Sequence, residues 1–198
     1  MDTKTKILHE AMIMFLQKGF DKTSMNDIVE AAQITKGGIY HYFMNKRDLV
    51  IQSMGYLNQR LAEWGFTILS ENASIYDILH AHFGTSANIG DFLEQLAPGR
   101  NLSAERWFTI LFQGIIDYPE IRTMMNHMHH ELHAMLTNEL TKAQQQGEIR
   151  ADLDCAEFAL EVHSLMDGVF AYCIFDDTYP LQETMMHVFH NVWNRIKA

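Results

Sequence analysis

Nowhere in this sequence do apolar and polar residues alternate for the length of a strand between turn signals, and only three prolines, at 98, 119 and 180, interrupt it. A chain patterned in this way buries its apolar side chains on helices, whose faces repeat about every 3.6 residues. The expectation is an all-α fold. Pro119 and Pro180 fit first-turn positions, where a missing N–H does no harm, and neither a repeat of solenoid length nor a low-complexity tract is present. With 198 residues, 47% of them apolar, the chain can bury a core as one large domain or as a small domain joined to a larger one.

The periodicity predicts about nine helices. The first runs from about Thr3 to Lys18, with Ile7, Leu8, Ala11, Met12, Met14 and Phe15 as its apolar face and Gly19 at the position of a left-handed cap. Ser24, with Asp27 three residues on, starts a short second helix like a capping box, and Ile28, Val29, Ala31 and Ala32 supply its buried side. Thr35 caps a third short helix through Phe43, and Asn45 caps a fourth that begins at Lys46 and passes Trp64. Longer and more apolar helices are expected near 74–95, 102–116, 118–146, 154–175 and 181–197, with the stretch Gly84 to Gly90 able to break the first of these.

Charge divides the chain. The first fifty residues hold seven Lys/Arg against six Asp/Glu, whereas the remainder holds eight against nineteen, within a net charge of −10. A polyanion would be met by the first fifty residues and repelled by the rest, which suggests two jobs in one chain. No run of about 18 apolar residues suited to span a bilayer is apparent, and Lys4, Lys6, His9 and Glu10 are unlike a signal peptide, so a soluble, cytoplasmic protein without membrane contact is expected. Cys155 and Cys173, if they share one helix, stand roughly 27 Å apart and cannot pair. Two small buried side chains in a reducing compartment is the reading they support.

Thr35 to Phe43 reads TKGGIYHYF, two adjacent glycines opening an aromatic helix. Three short helices with a tight turn between the second and third describe a helix-turn-helix, whose last helix enters the major groove. The run from Phe20 through Thr23, Ser24, Asp27, Ile28, Ala32, Ile34, TKGGIYHYF, Asn45 and Lys46 to Leu49 resembles the DNA-binding domain of the TetR family of bacterial transcriptional regulators. The resemblance is close from Ile7 to Leu49 and only architectural beyond residue 65. Gln33 departs from it, standing where many members carry a turn glycine, so the turn there is expected to be strained or to use a different dihedral.

What the resemblance implies is an N-terminal three-helix helix-turn-helix domain, residues 1–48, followed by a larger helical effector-binding and dimerisation domain, residues 49–198. Its DNA-binding residues are then Ser24, Asn26, Thr35, Lys36, Gly37, Gly38, Tyr40, His41, Tyr42 and Lys46. Lys36 can reach a guanine edge or a phosphate. Tyr40 and Tyr42 offer phenolic donors to phosphates while their rings pack the short helices, and the family resemblance favours phosphate contact for both. With Tyr40 and Phe43 pointing inward, His41 would turn to the groove. Lys46 adds a phosphate contact at a helix start. The glycines let a bare backbone approach DNA, and Phe43, Ile39, Ile28 and Leu49 are core.

One reading helix makes too few contacts, and such modules work as dimers on half-sites ~34 Å apart. The resemblance assigns the homodimer to the last two helices and their symmetry mates, the partners being double-stranded operator DNA and a small-molecule effector, with no cofactor or metal. In the middle helices Trp107, Phe108, Ile110, Leu111, Phe112, Ile115 and Ile116 surround their helix, a pattern that predicts burial on all sides. Phe83, Trp107, Phe108, Phe112, Met124, Met128, Met166 and Phe170 are the candidate effector pocket, for a mostly apolar or aromatic compound, or a cationic one given the many acids. Thirteen methionines suit an adaptable interior. In HMHHELH, residues 127–133, the histidines fall mostly on the helix side away from its core stripe, which suits solvated or interface histidines. The function expected is a ligand-responsive repressor. A regulator without an effector, or a helical carrier or enzyme, are the alternatives, the last lacking any nucleophile–base pair, phosphate-cradling loop or strong metal set.

Overall fold

The computed structural model describes the backbone of residues 2–66 and 73–198, and side chains for all of these except 65 and 66. Ten helices are present among them: α1 (Thr3–Lys18), α2 (Met25–Ala31), α3 (Lys36–Tyr42), α4 (Lys46–Phe66), α5 (Ile75–Ala87), α6 (Ile89–Leu96), α7 (Ala104–Asp117), α8 (Pro119–Gln145), α9 (Cys155–Phe175) and α10 (Leu181–Ile196). Extended pairing among the described residues is one isolated antiparallel bridge, Ile149 to Lys197. The tenth helix comes from the segment expected as one helix over 74–95. It breaks at Asn88, the cap of α5, whose backbone leaves the helical region (φ −103°, ψ 25°) and whose side-chain amide adds a bond to the Gly84 carbonyl at 2.9 Å.

By packing, the chain forms two compact units, one of residues 1–63 and 90–125, the other of 64–89 and 126–198. The first is organised by α1. Ile7, Ala11 and the unbroken run Met12 to Leu16 are all buried, which exceeds the single apolar face its periodicity suggests. It is buried on more than one side because α2 packs against it and so does α7. Phe20, just beyond the Gly19 cap, meets Phe15 and Tyr118 in edge-to-face pairs with ring centres 5.2 and 5.6 Å apart. Gly114 of α7 lets Ile121 close in, since a Cβ there would stand 3.4 Å from two Ile121 carbons. Arg47, at the start of α4, pairs with Glu120 at 2.6 Å and lays its guanidinium 5.0 Å from the Tyr118 ring centre.

Burial of α7 on all sides is not what the structure has. Trp107 and Ile110 are buried, but Phe112 is 48% and Ile116 67% exposed. One face of α7 meets α1 and the first unit's core, and the opposite face is left bare in the single chain.

The second unit is built on α10, which packs along α5 and α9. Phe189, fully buried, is its centre: Tyr76 meets it at 5.3 Å, Phe83 at 5.9 Å, and Tyr76 also meets Trp193 at 5.1 Å. Arg195 of α10 holds Glu161 of α9 through two bonds of 2.7 and 2.9 Å. Cys155 and Cys173 both lie on α9 and are free thiols. α9 corrects one expectation: it is long and apolar enough to cross a bilayer by length and composition, with a mean hydropathy of 1.3 over its best 18-residue window. A few acidic residues interrupt that run without outweighing it. One face of α9 is satisfied by Phe158, Ala159, Val162, Met166 and Phe170, all buried, whereas Leu160, Tyr172 and Phe175 stay exposed.

Truncating the ring that joins α1 to Tyr118 tests this organisation. Phe20→Ala should cost about 3–5 kcal/mol, read as a lowered midpoint in thermal or urea unfolding, whereas Phe112→Ala on the bare face of α7 should change the midpoint far less.

Candidate nucleic-acid interface

The helix-turn-helix assembles from local hydrogen bonds that its polar residues dictate. Thr23, wholly buried, donates its hydroxyl to the Gly19 carbonyl at 2.9 Å and so ties the end of α1 to the start of α2. Ser24 then caps α2: its hydroxyl accepts from the Asp27 N–H at 3.1 Å while the Asp27 carboxylate accepts from the Ser24 N–H at 2.7 Å. Those bonds hold the Asp27 carboxyl below its usual range. After α2 the chain turns through Gln33 with φ of 53°, the left-handed region, and the Ile34 N–H closes on the Val29 carbonyl at 3.1 Å. This is the turn the sequence leaves in doubt. Gln33 does take the conformation that glycine adopts without strain.

Thr35 caps α3 by accepting from the Gly38 N–H at 3.1 Å. Ile39 and Phe43, one turn apart, are the inward stripe and are buried, as are Ile28 and Leu49. The rest of α3 turns outward: Lys36, Gly37, His41 and Tyr42 are exposed, and Tyr40 is 48% exposed rather than inward. Tyr40 sits about 100° around the helix from Ile39, too far to share its stripe. The Tyr42 ring meets His41 edge-to-face at 4.9 Å and tilts against Phe43 at 6.4 Å. Neither Gly37 nor Gly38 has a left-handed backbone. A Cβ at Gly37 would meet open space, whereas one at Gly38 would press on the Thr35 hydroxyl at 3.2 Å, so only Gly38 has a structural reason to be bare. Ser24 and Asn26 are exposed on the α2 side, and Lys46 reaches the Asp21 carbonyl at 3.4 Å, beside the same surface.

This geometry has close parallels among known proteins. Residues 7–52 match the family described as bacterial regulatory proteins, tetR family, and residues 117–188 match the tetracyclin repressor-like C-terminal domain, more than half of the chain between them. The transcriptional regulator UidR of Escherichia coli is 28% identical over 178 residues, 85% of this chain and 80% of that one. The same bacterium's probable acrEF/envCD operon repressor is 41% identical over 49 residues, 25% of this chain and 22% of that one. A TetR-family regulator from Cytophaga hutchinsonii superposes with a TM-score of 0.79 over 99% of this chain and 95% of that one, at 20% identity.

The chain belongs to the TetR family. It is a transcriptional regulator with a DNA-binding domain, and not an enzyme.

In this TetR-family chain the eight candidate effector residues fall into both units. In the first, Trp107 is buried and stands nearly perpendicular to the Phe92 ring at 5.8 Å, Phe108 lies 4.4 Å from Phe112, and Met124 sits beside Gly55. In the second, Phe83, Met166 and Phe170 are buried and Met128 is half-buried. The first unit also has an open cleft of about 730 Å³ lined by Lys4, His9, Gln52, Tyr56, Arg60 and Leu96 among others, which the sequence did not point to.

Of the four histidines in residues 127–133, three lie on the solvent side expected of them and one does not. His127 is exposed and pairs with Glu131 at 3.2 Å, and His129 and His130 are exposed. His133, though, is half-buried with its ring 6.2 Å from that of His163 on α9. It faces a second neighbour that the core stripe of its own helix does not reveal. His163 in turn meets His82 of α5, Nδ1 to Nε2, at 3.4 Å. Burial first, and then His163, pushes His82 down to about 4. Among the described residues no group of three or more His, Cys, Asp or Glu side chains is arranged to hold a metal ion.

Two measurements check this picture. Replacing Gln33→Gly removes a left-handed non-glycine residue and should raise the unfolding free energy by about 1 kcal/mol, seen as a higher melting midpoint with DNA binding retained. Because the folded chain holds His82 neutral while the unfolded chain protonates it near 6.5, stability is complete above pH 6.5 and falls as pH drops toward 4. A melting series across that window should show the loss, and His82→Gln should reduce it.

Proposed function

We propose that this chain is a ligand-responsive transcriptional repressor that binds a palindromic operator as a homodimer. Residues 1–48 make the reading head and residues 49–198 the effector-binding and dimerisation part, in the cytoplasm. The observation that carries the reading is α3: a capped, seven-residue helix whose outward side is Lys36, Gly37, Tyr40, His41 and Tyr42, in the one part of the chain that is not strongly acidic. Lys36 meets a base edge or phosphate, Tyr40 and Tyr42 donate to phosphates, His41 lies toward the groove, and Thr35, Gly38, Ser24, Asn26 and Lys46 flank the backbone track. Gly37, which the fold itself does not require, leaves the helix start free to approach the duplex.

A second copy supplies the second half-site. Its place is on α9 and α10: Leu160 is 61% and Phe175 82% exposed on a helix as apolar as a bilayer span, and a surface of that kind is covered by a partner. Repression follows the naming of the acrEF/envCD operon relative. An effector that is mostly apolar or aromatic, bound in the helical part beyond residue 48, would favour a spacing of the heads that no longer matches the operator.

Fluorescence anisotropy with the DNA upstream of the chain's own coding sequence tests this. Binding at low salt, weakening steeply as salt rises, is expected, together with a dimer in sedimentation. Lys36→Ala should cost about 1–3 kcal/mol of binding, and adding Tyr42→Phe should abolish the complex while the fold is kept. No binding at low salt would sink the regulator mechanism. An operator complex indifferent to every apolar or aromatic compound tried would leave a regulator without an effector.

A further inference from the structure

In the second unit three helices bring imidazoles together away from the reading head. His82 comes from α5, His163 from α9 and His133 from α8. His163 Nδ1 and His82 Nε2 share a single hydrogen bond, so the other nitrogen of His163, Nε2, is the one turned to a further partner. It is buried and has none. A second buried atom without a partner is Thr137 Oγ1, one turn beyond His133 on the same face of α8. Folded chains rarely leave buried polar atoms unpaired, and here two belong to the same few turns of α8 and α9. Along α9 from His163, Met166 and Phe170 continue the same face and are buried, so the polar spot adjoins apolar surface.

The charges around this spot have one sign. Burial first, then His133 and His129, pull His163 below its ordinary value, and among the described residues the charged groups that act on His82 and His163 are other imidazoles. The nearby carboxylate, Asp167, interacts with His129 at the exposed end of the cluster. Elsewhere on α5, His80 stacks on Tyr76 and Phe189, and α10 meets α9 through Arg195, which is committed to Glu161. Among the described residues no acid serves as counter-ion to the His82–His163 pair, although this part of the chain is acidic as a whole. An external anion would fill that role, and an imidazolium–carboxylate bond is the stronger for being shielded from water.

Resting on the effector-responsive reading above, we propose that His163 Nε2 anchors the carboxylate of an amphiphilic organic acid, with His82 completing the proton-sharing pair, Thr137 Oγ1 as a second donor, and the acid's apolar part against Met166 and Phe170. The free pair is neutral at pH 7.5. Binding takes one proton from solution onto the His82–His163 pair, so the bound state is an imidazolium–carboxylate pair, no covalent bond changes, and affinity rises as pH falls from 8 toward 6.

The full-length protein is titrated by calorimetry with hexanoate, decanoate and 4-phenylbutyrate and with the primary amide of each. At least one acid should bind once per subunit, about tenfold or more tighter than its amide, with uptake of about one proton seen as different heats in phosphate and Tris buffers. His163→Gln, shown by circular dichroism to be folded, should remove that preference and the proton uptake while still binding the amide, and Thr137→Val should weaken acid binding less. Binding of none of the acids, equal binding of acid and amide, absence of proton uptake, or full acid affinity in His163→Gln overturns the proposal. So does nickel binding at His163 without acid binding. Operator release, followed by anisotropy in parallel, separates the two readings: an acid bound with this signature that does not release DNA ends the effector reading alone, and release by an uncharged compound in His163→Gln ends this one alone.

Discussion

The packing of α1 is the constraint on which the first unit depends. A sixteen-residue helix that buried one stripe would be replaceable, but here Met12 through Leu16 are buried without a break, with α2 and α7 both against it. Each neighbour is fastened to it by an aromatic or polar clip. Phe20 bridges Phe15 and Tyr118, Thr23 ties the helix end to the start of α2, and Glu10 reaches Arg100 at 3.4 Å. The reading helix is thus set by α1 through α2, while α7 rests on the same helix. Dense packing transmits a displacement on one side to the other because a filled core has few intermediate arrangements.

Electrostatics divides the work differently from packing. The near-neutral first fifty residues can approach a polyanion that the remaining acidic sequence repels. Within that acidic part, His82, His133 and His163 gather, and among the described residues no carboxylate acts on the His82–His163 pair. Net charge governs what the surface attracts, whereas a buried ligand group responds to the few side chains within reach.

Much of the reading head was legible before any coordinates. The caps at Ser24, Thr35 and Asn45, the core stripe of Ile28, Ile39, Phe43 and Leu49, and the irregular turn at Gln33 follow from rules that act within four or five residues. Tyr40 was misread because an aromatic residue beside a core position looks buried in a linear pattern, although a seven-residue helix has room for one inward stripe. α7 was misread for the same reason. Apolar residues all round a helix state what could be buried, and only the neighbours present decide which are, leaving Phe112 and Ile116 outside.

What the sequence determined by itself was the class of fold, the position of the helices and caps, and the family to which the reading head belongs, because these rest on local periodicity, hydrogen bonds between near neighbours and a motif without gaps. The break at Asn88, the grip of Arg47 on Glu120 and Tyr118, and the meeting of His82 with His163 and His133 were decided by tertiary structure alone. His82 and His163 are 81 positions apart. No local rule links residues at that distance, and the low dielectric that holds them neutral exists only once α5, α8 and α9 have closed around them.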